Sequence, residues 1–192
     1  MRIDHVIYAT HDLDGAAARV EAQIGVAAVG GGRHDGLGTH NRIVPLGATY
    51  IELLAVYDED EAASSPLGRA LRTRIEQVGE GLMGWAAEAD DVQPIATRLG
   101  TQVVTVGRQG SSAQLTGTLE SLREPYLPFF IARDPGESHP GGNAQGPKID
   151  WLEVDGDVAR LDWWLGGDVL PVRISDGAPA LRAIGIGDRI LS

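Results

Sequence analysis

The sequence predicts an α+β fold: two βαβββ modules with mixed, curved sheets that form a cavity, followed by a C-terminal partial third module. Three observations predict it. A strand–Asp–helix–Gly pattern occurs three times, at Asp12/Gly25, Asp91/Gly100 and Asp157/Gly166. In the first two occurrences, further β-rich segments complete a βαβββ order. The start of the third, Ile149-Asp150-Trp151-Leu152-Glu153-Val154, echoes Ile3-Asp4-His5-Val6-Ile7-Tyr8. Caps and stops recurring at matching places mark a repeated supersecondary unit.

Each element has a local reason. Ile3 to Ala9 mixes β-formers on both faces, which predicts a strand buried on both sides. Asp12 suits a helix N-cap, because its carboxylate can accept from free backbone N–H groups. Leu13, Ala16, Ala17, Val20 and Ile24 recur at helical spacing, and Gly25 suits the left-handed position that ends a helix. Val26 to Val29 reads as a short strand and Gly30 to Gly38 as a loop. Asn41 to Leu46 and Thr49 to Val56 read as a hairpin turning at Gly47-Ala48. Asp58 to Glu61 reads as a solvated acidic turn. Ser64 or Ser65 caps a connecting helix with Pro66 in its first turn, and Gly79 or Gly81 ends it.

The pattern then restarts. Leu82 to Ala89 is a strand, Asp90-Asp91 a cap, and Val92, Ile95, Ala96 and Leu99 a helical face that Gly100 ends. Gln102 to Val106, Ala113 to Leu122 and Pro128 to Arg133 are the following strands. In the third unit Val158, Leu161, Trp164 and Leu165 face inward, and Leu170 to Ile174 and Ala180 to Ile186 are strands. The expected organisation is residues 1–60 as the first module, 61–80 as the connecting helix, 81–137 as the second module and 138–192 as the appended partial module.

Composition narrows the function classes. The formal net charge is -11, from 16 basic and 27 acidic residues among 192. There is no basic run, which argues against nucleic acid and against an anionic membrane surface as partners. The sequence has no cysteine, which excludes disulfides, thiolate catalysis and Cys-ligated metal. No run approaches the ~20 apolar residues that span a bilayer, and Met1 to His5 lacks a signal-peptide core, so the expectation is a soluble cytoplasmic protein. The glycine loop lacks the Lys-Ser/Thr of a phosphate loop, and no Gly-x-Ser-x-Gly elbow is present.

The stretches IDHVIYATHDLDGAA, GLGTHNRIVPLGATYIELLAV and LPFFIARDPGESHPGG resemble, over roughly the first 142 residues, a glyoxalase-like domain of the vicinal-oxygen-chelate superfamily, which includes glyoxalase I and extradiol dioxygenases. The resemblance implies that the first and fourth strands of a module lie side by side, so that a His on one and a Glu on the other converge in a concave space. His5 and Glu52 fall on those positions. It also implies a divalent metal ion (zinc, nickel, manganese or iron) that polarises a substrate. The second module departs from the pattern: Gly84 stands where a second His would be, and Ile131 stands opposite Glu52. An intact four-ligand site is therefore not expected.

Candidates to complete a site are His40 and His139. His40 faces Glu52 if the hairpin pairs Val44 with Glu52, and turns away if the register slips by one residue. His139 can fold over the cavity from its Gly/Pro-rich loop. The expected metal set is thus His5, Glu52, His40 and His139, with Glu52 and His5 as the catalytic pair. His34 in the glycine loop reads as structural, and Trp85 and Phe129 as candidates to line the cavity. The expected function is binding of a small oxygenated or carbonyl compound. Glu52 serves as base or ligand in metal-assisted isomerase or lyase chemistry, the alternative being a metal-free binding and sequestration module. A small-molecule ligand is the expected partner, and a homodimer is left open as an assembly.

Overall fold

The computed structural model describes residues 1–192 except 109, 110, 135, 137 and 143–145. The chain opens with β1 (Arg2–Ala9), α1 (Leu13–Ile24), β2 (Arg33–His34), β3 (Thr39–Leu46) and β4 (Thr49–Val56). Helices α2 (Glu59–Ser64) and α3 (Pro66–Val78) lead to β5 (Gly81–Glu88), α4 (Gln93–Leu99), β6 (Val103–Arg108), β7 (Ser111–Thr116), α5 (Thr118–Arg123) and β8 (Phe129–Arg133). These eight strands form one sheet in the order β2-β3-β4-β1-β5-β8-β7-β6. Each half therefore runs first–fourth–third–second outward from an antiparallel seam between β1 and β5. Within the halves, β1 pairs with β4 and β5 with β8 in parallel, as two repeats of one unit require.

Local chemistry sets the helix ends. Asp12 accepts from the N–H groups of Asp14 and Gly15, and Gly25 closes α1 at φ 74°. Ser65 caps α3 and accepts from Gly68 N, with Pro66 in the first turn. Ala16, Ala17, Val20 and Ile24 form the buried stripe of α1.

Strand alternation sorts the sheet into two faces. Ile3 and Val6, Val44 and Leu46, Ile51 and Leu53, and Leu82, Trp85 and Ala87 enter the main core with α1. Ile7, Ala9, Leu54 and Met83 face the other way and pack against Leu71 of α3. The connecting helix thus plugs one end of the concave face. Trp85 belongs to the main core, where its Nε1–H donates to the Tyr126 carbonyl at 3.1 Å, so it does not line the concave face. Phe129 does, packed beside the α3 cluster.

One interruption of the alternation matters for function. Between Ile3 and His5, β1 advances two residues while β5 advances one, from Ala87 to Ala86. Asp4 is the extra residue of a β-bulge, which re-aims its side chain. Ile3 and Val6 therefore both face the main core, while Asp4 and His5 both serve the concave side.

The third unit, β9 (Trp151–Asp155), α6 (Val158–Leu165), β10 (Val172–Ser175), β11 (Ala180–Ile186) and β12 (Arg189–Leu191), forms a separate sheet in the order β10-β9-β11-β12. Its elements run β-α-β-β-β, with the three-residue β12 as the last strand. Its pairing differs from the other two units: β9 runs parallel to β10 and antiparallel to β11. Trp164 docks it, its ring stacked 6.2 Å from Phe130 and its Nε1–H on the Pro128 carbonyl at 2.8 Å.

Other expectations are corrected. Val26 to Val29 forms only an isolated bridge, Val29 to Ile43, and the second strand is instead Arg33–His34. Asp58 to Glu61 is solvent-facing, as expected of an acidic turn, and forms the capped first turn of α2. The strand expected over Ala113 to Leu122 stops at Thr116, because Gly117 adopts φ 74° and starts α5. Among the described residues, no helix is long and apolar enough to cross a membrane.

Gly117 also lies against the docked indole: a Cβ there would sit 2.8 Å from Cζ2 of Trp164. Gly117→Ala combines that contact with a left-handed backbone, itself a cost of about 1–2 kcal/mol. The expected result is a lower urea midpoint with altered tryptophan fluorescence of the native state.

Candidate functional site

The concave face carries a buried polar cluster centred on Asp4. Its carboxylate is fully enclosed and accepts four hydrogen bonds. Arg133 on β8 donates to Oδ1 at 2.5 Å and to Oδ2 at 2.8 Å. His139 Nε2 meets Oδ1 at 2.8 Å, and His5 Nδ1 meets Oδ2 at 2.6 Å. Burial pushes the Asp4 carboxyl up, but the hydrogen bonds from His139 and His5, the charge of His5 and the Arg133 bond outweigh it and hold the group far below the usual carboxylate range. Burial lowers the Arg133 guanidinium, but its bond to Asp4 and the Asp4 charge reverse this and raise it.

These bonds decide the proton positions. A carboxylate only accepts, so His5 donates through Nδ1–H, and in the neutral ring Nε2 carries the lone pair. Gly141 N–H donates to His139 Nδ1 at 3.0 Å, so His139 carries its proton on Nε2 and gives it to Asp4. Tyr50, on β4, stacks on His5 with ring centroids 4.5 Å apart, and its hydroxyl accepts from Arg133 at 3.3 Å. Burial first, then the Asp4 and Glu52 charges, push the Tyr50 phenol well above its ordinary value, so it stays protonated.

Glu52 lies one row further along. The register sets His5 opposite Tyr50 and Ile7 opposite Glu52, so both β4 side chains reach the concave face. Glu52 Oε2 stands 3.7 Å from His5 Nε2. Its other oxygen accepts from Asn41 Nδ2 at 2.5 Å. Gly32 N–H donates to Asn41 Oδ1 at 2.9 Å, which fixes the amide orientation. The second Asn41 hydrogen points to His34 Nε2 at 3.2 Å, and His34 Nδ1 pairs with Thr39 Oγ1 at 2.9 Å. His34 Nε2 is also 3.5 Å from Glu52 Oε1.

The structure thus brings His5 and Glu52 together and seats His139 on the same cluster through Asp4. His40 is not part of it. The hairpin pairs Ile43 with Glu52 and Val44 with Ile51, one residue away from the register that would turn His40 inward. His40 instead packs by Tyr57 on the other face of the hairpin, at 5.5 Å. The same register brings in Asn41. Sequence reasoning missed Asp4 and Arg133 and assigned His34 a structural place.

The family follows from the chain itself: residues 3–165 match the family described as "Glyoxalase-like domain". The chain belongs to that family. This glyoxalase-like domain shares its fold with a hypothetical protein from Staphylococcus aureus at TM-score 0.69 and 19% identity, covering 94% of this chain and 87% of the other. It is also similar in fold to a Streptomyces coelicolor methylmalonyl-CoA epimerase bound to 2-nitronate-propionyl-CoA (TM-score 0.53, 23% identity, 69% and 96% covered). A third likeness is to the Mycobacterium tuberculosis methylmalonyl-CoA epimerase (TM-score 0.52, 23% identity, 71% and 89% covered). No curated protein matches the sequence.

For a divalent ion, two donor sets bear testing. Asp4, Glu88 and His139 of the glyoxalase-like domain place ligand atoms within 4.8 Å of one another, the spacing of a possible metal site. Its central ligand is occupied, since all four bonding directions of Asp4 are taken and two of them by a permanently charged guanidinium. The second set fits better. His5 Nε2 and Glu52 Oε2 face one another and both offer lone pairs when the imidazole is neutral, and each residue is held by a polar partner behind it, Asp4 and Asn41. On the rows of His5 and Glu52, the other half of the sheet adds Gly84, Ala86 and Phe129, none of which is a ligand.

Two outcomes follow for the Asp4 cluster. Because the folded Asp4 carboxyl is depressed, its contribution to stability is present above the unfolded value of about 3.9 and is lost as pH falls below it. Urea midpoints at pH 5 and pH 3 are expected to differ more for the wild type than for Asp4→Asn. Arg133→Met leaves a buried carboxylate without its fixed cation and is expected to cost about 3–5 kcal/mol in chemical denaturation.

Proposed function

We propose that this chain binds a small oxygenated carbonyl compound on the concave face and removes a proton from the carbon beside the carbonyl, with Glu52 as the base. The observation that carries this reading is the pair of His5 and Glu52: Oε2 and Nε2 face each other at 3.7 Å, each residue braced from behind. Asn41 fixes the Glu52 carboxylate, so its free oxygen is aimed before a ligand arrives. His5, oriented by its Nδ1–H bond to Asp4, presents Nε2 to the same space, where it can pass a proton between the ligand's enolate oxygen and a neighbouring carbon. Phe129, half-buried and edge-on to His5 at 5.4 Å, supplies apolar surface beside the pair. The family match and the fold shared with isomerase-type enzymes support chemistry of this kind.

A second reading is favoured by the bracing of His5 by Asp4, the arrangement that commonly supports a metal-bound imidazole. In it, His5 and Glu52 would hold a divalent ion such as zinc, nickel, manganese or iron. Such an ion supplies polarisation of the carbonyl oxygen when bound. A third outcome, sequestration without turnover, corresponds to binding in the absence of proton exchange.

The deciding measurement is proton–deuterium exchange at the carbon beside the carbonyl, followed by NMR in D2O over a panel of small ketones, ketols and thioesters. Exchange is expected with the wild type, reduced about 100-fold or more in Glu52→Gln and His5→Ala. Exchange that survives Glu52→Gln would sink the assignment of the base. Metal analysis of protein purified without chelator separates the second reading: stoichiometric ion lost in both variants would establish it.

A further inference from the structure

We propose that the ligand of this site carries an apolar hydrocarbon body, which lies along the concave face of the second half of the sheet, from Phe129 out to Val104 and Val106, while its polar end reaches His5 and Glu52. This deepens the proposed function and rests on it for the seat of the polar end.

The first ground is how the concave face divides. In the first half it carries the polar side chains of His5, Tyr50, Glu52, Asn41 and His34. The register extends the same face through the second half. On β8, Phe129 lies edge-on to His5 at 5.4 Å and Arg133 reaches Asp4, while Phe130 and Ala132 between them turn to the main core. Ile131 therefore shares the concave face. Leu115 pairs with Ile131, and Val104 with Leu115. One row along, Ala113 pairs with Arg133, and Val106 with Ala113. All the concave positions that β6 and β7 add in these two rows are aliphatic.

The second ground is exposure. Ile131 is buried, Leu115 and Ala113 are half-buried, and Val104 and Val106 are 47% and 38% exposed. The apolar strip thus opens towards β6, where a solvated face of an antiparallel pair ordinarily turns polar. Thr105, exposed on the opposite face of β6, follows that ordinary rule. The charged residues that border the strip are already paired, Glu88 with Arg2 and Arg133 with Asp4. An open apolar strip between paired charges gains from being covered by hydrocarbon.

The third ground is continuity, and it selects a small ligand over a second protein chain. Phe129 belongs both to the strip and to the surroundings of His5. Between the two halves β5 offers only Ala86 opposite His5 and Gly84 opposite Ile7, and a Cβ added at Gly84 meets nothing within 4 Å. From β1 to β7 is three strand spacings, about 14 Å, which one extended molecule can span. A molecule held by its polar end at His5 and Glu52 therefore has the strip in front of its body.

The test uses the full-length protein and a homologous series of methyl ketones: acetone, methyl propyl ketone, methyl hexyl ketone and methyl nonyl ketone. Affinity is read by NMR titration, and position by isotope-filtered NOEs to protein methyl groups. Affinity is expected to rise about threefold per added methylene, as burial of hydrocarbon requires. The terminal methyl of methyl nonyl ketone is expected to give NOEs to Leu115 and Val104. Val104→Asp combined with Val106→Asp, at two exposed positions, is expected to weaken that ketone about tenfold or more. Thr105→Asp puts the same charge on the opposite face of β6 and is expected to leave the affinity unchanged. Equal affinity across the series would overturn the proposal, as would NOEs confined to other parts of the molecule, or no binding by any ketone. So would a concentration-dependent dimer that Val104→Asp dissociates, since the strip would then be covered by a second copy. The outcomes stay separate from those for the base: steep chain-length dependence without proton exchange upholds the strip and counts against Glu52, and exchange with flat chain-length dependence does the reverse.

Discussion

A buried carboxylate without partners is untenable, and Asp4 shows how much structure is needed to keep one. Its four hydrogen bonds come from β1 itself, from β8 in the other half of the sheet, and from the segment around His139. These parts are far apart in sequence, and one side chain ties them at one point. Removing any donor leaves a charge in a place that water does not reach. The orientation of His5, the closeness of Arg133 to Tyr50 and the seat of His139 all depend on that single ionised group.

The β-bulge makes this possible. Strict alternation along β1 would put Asp4 beside Val6 in the apolar core and turn Ile3 toward the polar face. One extra residue moves Asp4 out of the core and leaves Ile3 and Val6 in it. The same bulge places two adjacent residues, Asp4 and His5, within hydrogen-bonding distance of each other, which an unbroken strand does not allow. The counterpart strand β5 carries the same device at Met83, between its pairs with Ile7 and Tyr8, so the two seam strands share the bulge and differ in what it re-aims, a carboxylate in one and a thioether in the other.

Much of the architecture is legible in the sequence because it rests on local chemistry. Asp12 and Gly25, Ser65 and Pro66, and the strand pair around Gly47 each announce their role by residue type. The pairing of His5 with Glu52 is legible only through the family resemblance, since no periodicity brings β1 beside β4. What escapes is what depends on register. His40 and Asn41 are neighbours, and a one-residue difference in hairpin pairing decides which of them meets Glu52. Asp4 left one clue: a carboxylate at an expected core position signals broken alternation. His34 left none, because its approach to Glu52 depends on the path of a glycine loop, and Arg133 gains meaning only once Asp4 is found.

His5 and Glu52 lie on one half of the sheet, and this has a stereochemical consequence. Gly84, Ala86 and Phe129, on the facing strands, carry no group that could accept or return a proton. A planar enolate formed against Glu52 would therefore be served from a single side. Inverting a carbon centre calls for two bases on opposite faces of the intermediate, whereas moving a hydrogen between adjacent atoms calls for one. Under the proposed chemistry, the one-sided site favours suprafacial transfer, with the configuration of the product set by which face of the ligand lies against β4.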